Sequence, residues 1–163
     1  MRARTTWASV VPMACVLATM VPGVVPAAAQ TDPRVGTWTL NLAKSKYNPG
    51  PAPKSQVLTI EAAGKGEKVK SETVTAEGPT TVTEYTADFD GKPHPLKGSD
   101  TADMVTLKRI DSHTTERVDT KGGKTVTTYH RVVSKDGKTM TVTTKGTNAK
   151  GQATNNVVVF EKK

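Results

Sequence analysis

Tyr129 and Arg131 lie two residues apart in a Thr/Val-rich run, so on an extended chain both side chains point to the same side. If that side is an interior, the phenol offers one hydrogen bond and the guanidinium a bidentate pair to a carboxylate or phosphate. An arginine buried without a partner is costly, so an inward Arg131 implies a ligand or a nearby acid. The opposite phase turns Val126, Thr128, His130 and Val132 inward and leaves Arg131 in solvent. Both phases satisfy the alternation, and the rarity of buried arginine favours the second. Arg109 and Arg117 are further candidates for interior cations on the same reasoning.

Other chemistry is sparse. His94, His113 and His130 sit on separate stretches with no local pair at i, i+2 or i, i+4, so they read as surface or turn histidines and no metal site is expected. The only cysteine, Cys15, lies near the N-terminus, and the Val11-Pro12-Met13-Ala14 before it does not match a lipid-attachment run. There is no Gly-x-Ser-x-Gly elbow and no glycine-rich phosphate loop leading into a helix. These residues call for no catalysis and no cofactor, and the expectation is a protein that is not an enzyme.

The N-terminal 29 residues differ in composition from the rest. Arg2 and Arg4 precede a largely apolar, uncharged stretch from Val10 to Val25, and Ala27-Ala28-Ala29 forms a small-residue cleavage pattern. That is the anatomy of a secretory signal peptide. A retained span would need about 20 apolar residues, and Pro12, Pro22, Gly23 and Pro26 interrupt this one. The expectation is a signal over 1–29, one domain over 30–163, no integral membrane span after cleavage, and a secreted or periplasmic bacterial monomer without disulfides. The formal charge of +8 becomes +6 on cleavage, because two arginines leave and no acid does. The basic residues are scattered, with no run of five, which argues for a solvated exterior and against a nucleic-acid site.

The elements that would position an interior Arg131 are strands. Val35 to Leu42 forms a clean period-2 run with Trp38, Leu40 and Leu42 on one face. Asn48 to Pro53 carries three prolines in five residues, which excludes a helix and predicts a short extended cover over one end. From Ser55 the chain is almost unbroken strand and turn. Strands are expected near 55–62, 67–75, 80–89, 92–97, 103–110, 113–120, 124–134, 138–145 and 154–161, divided by Asp-Gly and Gly-Gly turn signals. With the Trp38 strand this makes ten, and closing the first on the last removes both sheet edges. The expected fold is all-β, a single up-and-down antiparallel barrel, with a two-sheet sandwich as the alternative. Tyr85, Ala87 and Phe89 share one face of their strand; in 103–110 the inward set is Val105 and Leu107, with Arg109 in phase, or else Met104, Thr106, Lys108 and Ile110, the first placing the lysine outside. Six aromatics after residue 29 are thin filling for ten strands, so an internal pocket is expected, the other outcome being an interior filled by threonine and valine.

Gly36-x-Trp38-x-Leu40 at the first strand, ten strands in meander order and the Val157-Val158-Val159-Phe160-Glu161-Lys162 ending resemble the calycins, the lipocalins and fatty-acid-binding proteins. The segments Gly36 to Lys46 and Ser134 to Val142 are also similar to small secreted bacterial proteins of lipocalin-like type. The resemblance implies a ligand held inside the barrel. The two-helix lid of the fatty-acid binders is replaced here by the proline stretch, and their Arg-x-Tyr pair is absent, Tyr129-His130-Arg131 running in reverse order on an earlier strand.

The functional expectation is an exported binding protein for a small apolar or amphipathic ligand, with Trp38, Tyr85, Phe89, Leu107 and Tyr129 lining the cavity and Arg131 or Arg109 orienting a polar end. The alternative is a packed barrel that binds a protein or envelope partner through its basic exterior.

Overall fold

A computed structural model describes residues 32–148 and 150–163. The expected signal segment lies outside them. Ten strands follow in chain order: β1 (Gly36–Leu40), β2 (Ser55–Ala63), β3 (Gly66–Val74), β4 (Thr80–Asp88), β5 (Pro93–Lys97), β6 (Met104–Arg109), β7 (Thr114–Lys121), β8 (Lys124–Val133), β9 (Thr139–Thr147) and β10 (Ala153–Lys162). Each strand pairs antiparallel with its neighbours in sequence, and β1 closes on β10 through Trp38 opposite Lys162 and Leu40 opposite Phe160. The fold is therefore a closed up-and-down barrel, in which the first and last strands pair with each other and form no sheet edge. Between β1 and β2 only Leu42–Lys44 is helical, a single 3-10 turn capped by the Asn41 side chain, which accepts from Lys44 N–H. None of the described helices is long and apolar enough to cross a membrane.

The barrel has two unlike ends. At one, which we call the base, lie Asp32, the first described residue, and the turns after β2, β4, β6 and β8; at the other, the mouth, lie the proline stretch and the turns after β3, β5, β7 and β9. Trp38 is fully buried toward the base, where its indole N–H donates to the Arg34 carbonyl at 2.8 Å and the Lys162 ammonium lies 5.1 Å from its ring centre. Gly36 makes that packing possible. Its φ of +136° favours glycine, and the missing Cβ leaves room for the Lys162 stem, whose Cε would lie 2.7 Å from one.

The inward phase follows the apolar residues. Ile60, Val69, Tyr85, Ala87, Val105, Leu107, Val133, Met140, Val158 and Phe160 all belong to one core cluster. In β6 the inward set is Val105 and Leu107, while Ile110 just beyond the strand is exposed. In β8 the phase is the one that the rarity of buried arginine argued against: Arg131 and Val133 are inside, and His130 and Val132 are outside. The reason is that Arg131 meets an acid across the barrel, which removes the penalty on which the opposite choice rested.

Candidate functional site

Strands β8 and β3 are five steps apart in either direction around the ten-strand ring, so they form opposite walls. Arg131 on β8 and Glu67 on β3 meet across the interior, with Arg131 Nη2 at 2.6 Å from Glu67 Oε1 and both residues about 5% exposed or less. Tyr85 on β4 completes the contact: its hydroxyl donates to Glu67 Oε1 at 2.7 Å and accepts from Arg131 Nη2 at 3.0 Å. Burial works against the Glu67 charge, but the Arg131 guanidinium and the bonds from Tyr85 and Arg131 outweigh it and hold the carboxyl below its ordinary value. Burial pushes the Tyr85 phenol up to about 12, so it stays a neutral donor. Both Arg131 hydrogen bonds leave from Nη2; among the described residues, Nε and Nη1 make none.

A second cation stands on β7. Arg117 forks onto Asp119, with Nε at 2.6 Å from Oδ1 and Nη2 at 2.7 Å from Oδ2. Its guanidinium carbon lies 4.7 Å from the ring centres of both Tyr85 and Tyr129, so the cation is held between two aromatic faces. Burial opposes the Arg117 charge, yet the two tyrosines and Asp119 raise its pKa above the ordinary arginine value. Register places this group: Arg117 is opposite Tyr129 across the β7–β8 ladder, so their side chains share the inner face. Burial also raises the Tyr129 phenol to about 12, with Arg117 opposing and Asp119 reinforcing.

Between these groups and the mouth is a cavity of about 300 Å³. Tyr85, Arg117, Asp119, Tyr129 and Arg131 contribute to its wall, and so do the hydroxyls of Ser71, Thr73, Thr83, Ser99, Thr101 and Thr144. Leu58, Val69, Leu96, Val142, Val158 and Phe160 supply its apolar part. The interior is therefore not packed solid. Gln56, Thr73, Thr101, Tyr129, Thr144 and Val158 also line a wider space at the mouth of about 550 Å³, bordered by Tyr47, Gly50, Pro51 and Pro53. The proline stretch thus lies beside the mouth, as a cover should. It is tied to β10 by Lys46 and Asn48 carbonyls accepting from Val157 and Asn155 amides. Tyr47 keeps its hydroxyl buried there with no hydrogen-bond partner among the described residues.

Of the residues expected to line the cavity, Tyr85, Tyr129 and Arg131 do so, and Trp38, Phe89, Leu107 and Arg109 do not. Trp38 and Leu107 are fully buried core. Phe89 and Arg109 belong to a separate stack at the base, where Arg34 and Arg109 lie 4.7 and 4.6 Å from the Phe89 ring centre. Asp32 binds both arginines there, Arg34 through a fork and Arg109 Nη2 at 2.6 Å, and although burial opposes it, the arginines bring its pKa down to about 2. Arg109 is 42% exposed. Its alternation phase is inward, but it is the last residue of β6, and the strand runs out at the base before the side chain reaches the interior. Glu67, Asp119 and Arg34 were not singled out from the sequence. Glu67 had a readable signal, since it shares its strand face with Val69.

The histidines stand apart: His94 Nε2 is 3.1 Å from Asp90, and His130 Nδ1 is 3.8 Å from Glu116 on the outer wall. Among the described residues no group of three His, Cys, Asp or Glu could hold a metal ion. Comparison of the chain with family models, with characterised proteins and with solved structures finds no match.

Proposed function

We propose that this chain is an exported binding protein that holds one small amphipathic molecule in the barrel cavity, reversibly and without a cofactor. The observation that carries the reading is the cavity itself. Its volume of about 300 Å³ is at the lower end of the range for small-molecule sites, about 300–1,000 Å³. Its wall sets a few arginine, tyrosine and hydroxyl groups among apolar side chains, which is how such sites fix an orientation. The polar end of the ligand lies toward Arg117 and Arg131, and its apolar end against Leu58, Val158 and Phe160. The mouth beside Pro51 and Pro53 is the route in.

The resemblance of Gly36-x-Trp38 and the strand meander to the lipocalin-like barrels supports the same reading, as does the signal-like composition of residues 1–29 for export. Titration with 1-aminoanthracene, a small fluorophore that brightens on leaving water, tests it. One saturable site displaced by unlabelled small amphiphiles is the expected result. A response that is linear in ligand and indifferent to competitors would end the proposal.

A further inference from the structure

We infer that the cavity selects uncharged amphiphiles over anionic ones; this rests on the binding reading above. Two arginines in a ligand cavity suggest an anion site at first sight, but here each is already neutralised by an acid of the same protein. Arg131 is paired with Glu67 at 2.6 Å, and Arg117 with Asp119 through two bonds of 2.6 and 2.7 Å. Two cations and two carboxylates sum to zero. The tyrosines add no charge, since Tyr85 and Tyr129 are both held near about 12. At the mouth Glu77 and Lys150 again offset one another. Arg34 and Arg109 share the Asp32 carboxylate at the base and line no part of the cavity.

A carboxylate entering this space would lose its hydration and find no uncompensated positive charge. It would also lie near the existing carboxylate of Asp119, on the cavity wall. A neutral carbonyl or hydroxyl meets no such penalty. It can accept from Arg131 Nε or Nη1, which make no hydrogen bond among the described residues, and exchange bonds with the hydroxyls of Ser71, Thr83 and Thr144. The compensated ion pairs act as fixed dipoles that orient a polar head without demanding a charge.

Octanamide and octanoate separate the two cases, being nearly the same shape with and without a charge. Calorimetric titration of the purified protein with each at pH 7 should show octanamide binding at least about tenfold more tightly, as expected when an ion is desolvated without a partner. Glu67→Gln removes one of the two acids, and should narrow or invert the preference by strengthening octanoate; Asp119→Asn is the second variant if the first does not fold. Octanoate binding as tightly as octanamide to the native protein, or a preference that neither variant shifts, overturns the inference and leaves the carrier reading intact. Saturable binding of neither compound overturns both.

Discussion

Replacing Arg131 by methionine should expose how much the barrel depends on its central ion pair. The substitution keeps much of the side-chain volume but leaves the Glu67 carboxylate, 3% exposed, with only the Tyr85 hydroxyl to satisfy it. Removing one partner of a buried pair costs about 3–5 kcal/mol, because the penalty is the uncompensated charge and not only the lost contact. For a domain of this size the melting temperature should fall by roughly 10–20 °C. The sign of the pH dependence is a sharper check than the size. In the native protein the Glu67 carboxyl is held below its ordinary value, so its stabilisation is present above the unfolded pKa and lost as pH falls through the folded one. With Arg131 gone, burial becomes the leading influence and lifts the carboxyl above the ordinary value. The folded state then binds a proton more tightly than the unfolded chain, and the variant should regain stability relative to the native protein as pH falls from about 7 to about 5. Adding Glu67→Leu to Arg131→Met should restore most of the loss, since an apolar pair of similar volume avoids the buried charge. Urea denaturation of the native protein, both single variants and the double variant at each pH gives the complete cycle. A loss under about 1 kcal/mol for Arg131→Met, with no change of pH slope, would refute the idea that these walls are joined through Glu67 and Arg131.

Other outcomes follow from the base and the first strand. Trp38→Ala should cost about 3–5 kcal/mol by denaturant titration, as for a large aromatic removed from a filled core. Gly36→Ala should destabilise by about 1–3 kcal/mol through its positive φ alone, and Lys162→Ala in the same chain should return only the part owed to the 2.7 Å clash. Asp32 is held at about 2, so its contribution is present above its ordinary value near 3.8 and lost as pH drops toward about 2. Asp32→Asn should therefore flatten the fall of stability between about pH 4 and pH 2, followed by acid titration of the far-ultraviolet circular dichroism.

The strand meander was legible because it rests on local signals. Thr and Val resist helix, Asp-Gly and Gly-Gly pairs turn the chain, and the ten strands lie within about two residues of the periodic runs. The site was legible only in part. Alternation shows that Tyr129 and Arg131 share a face but not which one, and the acid that makes the inward choice affordable lies 64 residues away on the opposite wall. Glu67 in phase with Val69 is the one local clue, and it gains meaning only once ring closure sets β3 against β8. Arg109 fails in the other direction. Its phase is inward, but alternation does not say where a strand leaves the barrel, and the Phe89 and Asp32 that hold it belong to the base turn and to the segment before β1. Trp38 keeps its structural place in the first strand; it shapes the base and does not touch the cavity.

The space between Arg117, Arg131 and Thr144 is proposed as the binding site. Native mass spectrometry of the protein purified from its own host tests it most directly, run beside a Thr144→Trp variant in which the cavity wall is filled. The expected result is one small molecule bound per native chain and none on the variant; the mass of the bare polypeptide in both, or an adduct that persists when the cavity is filled, would contradict the claim.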